Sequence, residues 1–157
     1  MKVSSESVVV RMGRIHWFVH RYLARRLEAN GLTSRQFRFL KYLLQHDSVH
    51  QERIAAALMV DRAIGTRTVR DLIEAGYVAR ERDPDDRRAY LITLTARGRA
   101  TAPLVGEVVS ELNDALLAGL SEEEQTTLLA LLDRMVENSR RIATSASLDC
   151  GAAGESA

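Results

Sequence analysis

Apolar residues recur along the chain with two different periods, and the change from one to the other marks its elements. Between Ser7 and Asn30, the residues Val8, Val9, Val10, Met12, Ile15, Trp17, Phe18, Val19, Tyr22, Leu23 and Leu27 cover more than one stripe of a helix. A helix with two apolar faces needs two partners: one face packs on its own domain, and the other most simply meets a second copy of the chain or a neighbouring helix. Asn30-Gly31 supplies a left-handed stop. Thr33 caps a second helix to about Gln45, with Phe37, Leu40, Leu43 and Leu44 facing inward, and Asp47 and Ser48 break it. Gln51 to Leu58 forms a short third helix that buries Ile54, Ala55 and Leu58. Its start has two readings. Ser48 with Gln51 fits a capping box, whereas a helix opening at His50 leaves Ser48 to His50 extended.

A fourth helix, capped by Asp61 and ended by Gly76, buries Ile64, Thr68 or Val69, and Leu72. The period then falls to two. Tyr77 to Arg82 and Ala89 to Leu94 alternate as antiparallel strands, joined by Asp83-Pro84-Asp85-Asp86-Arg87-Arg88, where the proline presets φ for a tight turn. Thr95 caps a long fifth helix to about Ala118, with Pro103 as a candidate kink. Gly119 stops that helix, and Ser121 with Glu124 forms a capping box. A sixth helix, Gln125 to Arg141, follows through Leu128, Leu129, Leu131, Leu132, Met135 and Val136. Residues 143–157 are small and polar and are expected to be a mobile tail. The fold class is mainly α with a small β-wing: a winged helix-turn-helix at about residues 33–94, inside a single domain spanning 1–142.

Composition narrows the function. With 157 residues, 46% of them apolar and 27% charged, the chain can bury a core without disulfides or metal. No run of about 18 apolar residues exists, so no membrane span is expected. Met1 to Glu6 lacks the layout of a signal peptide, and the expected location is the cytoplasm. The single cysteine, Cys150, excludes an internal disulfide and has no basic neighbour to activate it.

Net charge is +1, but it is unevenly spread. Residues 1–102 hold 19 Lys+Arg against 11 Asp+Glu, while residues 103–157 hold 3 against 10. The basic part is the part with the wing. No nucleophile elbow, phosphate loop or metal cluster appears, so neither an enzyme nor a cofactor is expected. His16 and His20 have the i, i+4 spacing of a zinc pair, yet no acidic or thiol neighbour completes a site, and no metal is expected.

Five motifs stand in a set order: Gln51-Glu52-Arg53-Ile54-Ala55, Val60-Asp61-Arg62-Ala63, Glu74-Ala75-Gly76-Tyr77-Val78, Arg82-Asp83-Pro84-Asp85-Asp86-Arg87-Arg88-Ala89, and Leu94-Thr95-Ala96-Arg97-Gly98-Arg99. In order and spacing the chain resembles the MarR family of bacterial and archaeal transcription regulators, over roughly residues 7–142. The resemblance implies a homodimer, held by N- and C-terminal dimerisation helices at about 7–30 and 95–142, that binds double-stranded DNA at a pseudo-palindromic operator. It further implies a repressor released by a small, often aromatic effector. The chain departs from the family at His50, where Ser or Thr commonly caps the third helix. It departs again at Ala63-Ile64-Gly65, where a Ser/Thr-rich stretch is usual. Gly65 there costs about 1 kcal/mol of helix propensity relative to alanine.

The recognition helix should enter the major groove with its N-terminal half, which points to Arg62, Thr66, Arg67 and Arg70 as DNA contacts. At the wing, Arg88 matches the family's minor-groove arginine, Asp86 the carboxylate that holds it, and Arg87 suits a phosphate. His16, Trp17, His20, Phe37 and Tyr42 are candidates to line an effector pocket, though an aromatic at helical spacing is more often core. The competing function is a winged helix used as a protein-interaction module without specific DNA binding.

Overall fold

The computed structural model describes residues 7–86 and 88–152, those beyond 143 through their backbone alone. Its elements are α1 (Val8–Glu28), α2 (Ser34–Leu43), β1 (Val49–His50), α3 (Gln51–Ala57), α4 (Arg62–Glu74), β2 (Val78–Arg82), β3 (Tyr90–Leu94), α5 (Ala96–Arg99), α6 (Ala102–Leu117) and α7 (Glu122–Ala152). The chain groups into two compact units, one ending at Leu112 and the other beginning at Asn113.

Local chemistry accounts for most helix ends. At α2 a complete capping box forms: Gln36 N–H donates to Thr33 Oγ1 at 3.2 Å, and Thr33 N–H donates to Gln36 Oε1 at 2.9 Å. The same device opens α7, where Ser121 N–H reaches Glu124 Oε2 at 2.8 Å and Glu124 N–H reaches Ser121 Oγ at 3.3 Å. Gly76, at φ 74°, lets Tyr77 N–H turn back to the Leu72 carbonyl at 2.9 Å and stops α4. The turn between α3 and α4 uses Met59 instead, at φ 51° and 78% exposed. A bulky residue in this left-handed conformation costs about 1 kcal/mol, so the turn carries strain beside α4.

One of the two readings of the α3 start is selected, and four expectations are corrected. The helix α3 opens at His50 with Val49–His50 extended as β1, so the Ser48–Gln51 box is not the one used. Asp61 occupies the N-cap of α4, but its side chain makes no capping bond. The fifth helix is two: α5 ends at Arg99 and α6 begins at Ala102, with the Thr101 hydroxyl donating to the Gly98 carbonyl at 2.6 Å. Pro103 lies in the first turn of α6, where a missing N–H breaks no helical bond, so it helps to start that helix and does not kink one. Finally, α7 runs to Ala152, past the expected end at Arg141.

The sheet has order β1-β3-β2, antiparallel throughout. Ile92 at its centre pairs with Val49 on one side and Arg80 on the other, and it is fully buried. The core around it takes Leu23 and Leu27 from α1, Phe37, Phe39, Leu40 and Leu43 from α2, Ile54 from α3, Val69 and Leu72 from α4, and Val105 and Val108 from α6. On α4 Thr68 and Val69 are both buried, the Thr68 hydroxyl being satisfied by the Ile64 carbonyl at 2.8 Å.

Of the long apolar list on α1, only Leu23 and Leu27 are buried. Val9, Trp17 and Phe18 remain 77%, 53% and 60% exposed. Further along, α1 is pinned to α6 by Arg26. Its guanidinium meets Glu111 through two bonds of 3.1 Å and Glu107 at 3.3 Å, while the Tyr22 hydroxyl donates to the same Glu111. These hydrogen bonds, from Arg26 first and then Tyr22, hold the Glu111 carboxyl below the usual range.

Candidate nucleic-acid interface

The helix α4 lies across α3 at a close crossing. Gly65 is buried there, and a Cβ built on it would stand 2.7 Å from the Ala55 Cβ. The glycine that local propensity disfavours is therefore what lets the two helices approach. Ala63, Thr66, Arg67 and Arg70 point the other way and share one open face with Arg62.

The four candidate contacts on that face are not equivalent. Arg62 is ion-paired with Glu52 of α3 at 2.8 Å, and Arg70 lies 3.7 Å from Glu74 and 4.0 Å from Asp71. Pairs this exposed contribute little stability and are readily exchanged for a phosphate. Arg67 makes no ion pair among the described residues, and Thr66 is exposed beside it.

The wing rises from β2 and β3 and faces α3 and α4 across a cavity of about 630 Å³. His50, Arg53, Arg62, Thr66, Arg80, Asp86, Arg88 and Tyr90 are among its lining residues, so Arg62 of α4 and Arg88 of the wing open on one space. At the tip, Asp86 Oδ1 accepts the backbone N–H of Arg88 at 2.9 Å. The expected pairing of these residues is thus made through the main chain, which shapes the turn. Among the described residues the Arg88 guanidinium has no carboxylate partner. Arg87 lies outside the described residues, as does the side chain of Cys150.

Sequence reasoning missed several residues of this cavity. Arg80 stacks over the Tyr90 ring at 3.6 Å, with Arg82 on the same ring at 5.6 Å. The alternation of Arg80 and Arg82 along β2 was the available signal. In the sequence His50 stands out only at the start of α3. Its Nε2 instead meets Asp83 Oδ2 at 2.6 Å.

The second oxygen of Asp83 accepts the Asp85 N–H at 2.8 Å, so both ends of this carboxylate are engaged. The His50 hydrogen bond first, and the backbone N–H of Asp85 next, hold the Asp83 carboxyl below the usual carboxylate range. A depressed folded pKa stabilises above the unfolded value, near pH 4, and the contribution is lost as pH falls through the lower folded value. The expected result is a wing that opens in acid, read as a shift of the Asp85 amide NMR signal setting in below about pH 4. A signal that stayed flat to pH 2 would contradict it.

The candidate effector residues are placed differently. Phe37 is core at 4% exposure, and Tyr42 is partly buried and stacked on His46 at 4.2 Å. His16, Trp17 and His20 are exposed on α1, Trp17 being edge-on to Phe18 at 4.8 Å and under Arg21 at 5.2 Å. None of the five lines the wing cavity or the open face of α4. Among the described residues there is no cluster of three metal-ligating side chains and no helix long and apolar enough to cross a membrane.

The sequence model of the MarR family matches residues 32–90, the stretch from α2 to the start of β3. The putative transcriptional regulatory protein for the hcr operon of Thauera aromatica is 30% identical over 127 residues, covering 80% of this chain and 75% of that protein. The HTH-type transcriptional regulator PecS of Dickeya dadantii is 30% identical over 131 residues, covering 82% and 79%. Of solved structures, a MarR transcriptional regulator from Methanosarcina mazei Go1 superposes with a TM-score of 0.78 at 29% identity, over 84% of this chain and 95% of that one. The transcriptional regulator SlyA does so with a TM-score of 0.82 at 26% identity, over 85% and 94%. A winged helix with its recognition face open, the family's motifs in order and relatives of this extent lead to one assignment: the chain belongs to the MarR family and is a DNA-binding transcription regulator, not an enzyme.

Proposed function

We propose that the protein is a homodimeric repressor whose two winged domains bind the half-sites of a pseudo-palindromic operator, with α4 in the major groove and the wing in the flanking minor groove. The observation that carries this reading is the pair of arginines without carboxylate partners among the described residues, Arg67 on α4 and Arg88 on the wing. Arg67 with Thr66 is the specific reader, Arg62 and Arg70 exchange their carboxylate partners for phosphates, and Arg88 enters the minor groove. A second copy of the chain is supported by apolar surface that neither unit covers by itself: Val9, Trp17 and Phe18 in one, and Leu129, Val136 and Ile142 in the other, from 47% to 77% exposed.

Replacing Arg88 by alanine should weaken duplex binding by roughly tenfold or more without changing the dimer mass, and should flatten the fall of affinity with salt by about one phosphate contact. Unchanged affinity would remove the wing from the interface. Wild-type binding that is absent or independent of salt would instead favour a protein-interaction module. Release by a small aromatic ligand is supported by the exposed His16, Trp17 and His20 of α1. An aromatic acid that acts this way should raise the melting temperature of the free protein and lower its affinity for duplex, and no acid doing both would count against it.

A further inference from the structure

His50 belongs to three structures at once. Its backbone closes β1 against Leu91 of β3, its position opens α3, and its imidazole makes no capping bond to its own helix. The ring reaches instead across 33 residues of sequence to Asp83, where β2 ends and the wing tip begins, and meets Oδ2 at 2.6 Å. Asp83 is only 8% exposed and holds the tip with its other oxygen, through the Asp85 N–H at 2.8 Å. From Asp83 a hydrogen bond leads to His50, the backbone of α3 leads on to Ala55, and Gly65 of α4 crosses close to Ala55.

We propose that His50 is a positioning residue for DNA recognition: through Asp83 it fixes the wing tip relative to α3, and so sets the spacing between Arg88 in the minor groove and Arg67 in the major groove. A Ser or Thr side chain at an N-cap is short and bonds to its own helix. Imidazole gives up the local cap for a cross-link between the two DNA-contacting parts. The inference rests on the proposed wing contact. It adds that the contact depends on a hydrogen bond made well away from Arg88 in sequence.

The test uses the full chain and two duplex pools with the same randomised core, one flanked by A-tracts and the other by GC-rich sequence. A guanidinium in the minor groove favours the narrow A-tract, so the ratio of the two affinities reports wing insertion and not general binding. The wild type is expected to prefer A-tract flanks by a factor on the order of three to ten. His50→Ala should bring the ratio close to one, and His50→Gln, whose amide N–H can stand in for the ring N–H, should restore most of it. Should His50→Ala fail to fold, His50→Phe keeps the ring volume without the hydrogen bond and should also lose the preference. A preference kept by His50→Ala or His50→Phe, or lost equally in His50→Gln, overturns the positioning role. Arg88→Ala is the reference: if it too keeps the preference, the wing contact itself fails. If only Arg88→Ala loses it, the contact stands and the role of His50 does not.

Discussion

Gly98→Ala should be among the most damaging single-methyl additions to this protein, lowering stability by about 3 kcal/mol or more. Local propensity points the other way, since alanine in a helix is favoured over glycine by about 1 kcal/mol. The tertiary environment decides the sign. A Cβ at Gly98 would lie 2.1 Å from the Tyr77 carbonyl oxygen and 2.8 Å from Leu94 Cδ2. The first of these is main chain and cannot rotate away. It is also fixed by the Thr95 N–H and hydroxyl, each 3.1 Å from that oxygen. Relief requires α5 to lift off the base of the wing, which breaks the Thr95 cap and exposes Leu94, now 8% exposed. Thermal unfolding at fixed protein concentration should show a fall on the order of 10 °C. An unchanged or higher midpoint would mean that α5 does not seat on Tyr77.

Gly65→Ala is the second large effect, and it carries its own rescue. The added methyl would meet the Ala55 Cβ at 2.7 Å, about an ångström inside ordinary carbon contact, so α4 must move away from α3. Overpacking of this kind costs about 1–3 kcal/mol and outweighs the propensity gain. Because α4 is the proposed recognition helix, duplex affinity should fall further than the fraction unfolded explains. Ala55→Gly in the same chain removes the opposing methyl and should return both stability and affinity toward the wild type. The coupling in the double-mutant cycle is expected to be about 1 kcal/mol or more, and additive effects would show that the two helices do not touch there.

These two glycines also show where sequence reasoning reached its range. By local propensity Gly65 is a defect in the opening turns of α4, next to the proposed DNA contacts. It faces inward, and the outward positions around it are Ala63, Thr66 and Arg67. Nothing local marks the difference, because the residue that requires glycine at 65 is Ala55, on another helix. Phe39 was likewise absent from the expected inward face of α2 yet is 1% exposed, since the neighbouring elements cover two sides of that helix. The strand β1 is too short for any alternation to register and exists because β3 offers it an edge. In the binding face, the sequence marked Arg62, Thr66, Arg67, Arg70 and Arg88, and the pairing of Arg70 with Glu74 or Asp71 follows from helical spacing, whereas the ion pair of Arg62 with Glu52 of α3 and the stack of Arg80 on Tyr90 came from the fold.

What the chain states in its own order is whatever lies within about one helical turn or one hairpin: the capping boxes at Thr33 and Ser121, the glycine stop at Gly76, the two wing strands and the family's motifs. Those features are made by residues close in sequence, so their chemistry is visible in the order of residues. The seat of Gly98 on Tyr77, the crossing of Gly65 on Ala55 and the reach of His50 to Asp83 bring together residues that no period connects. Only packing could decide them, because each is a distance between surfaces that become neighbours when the core closes.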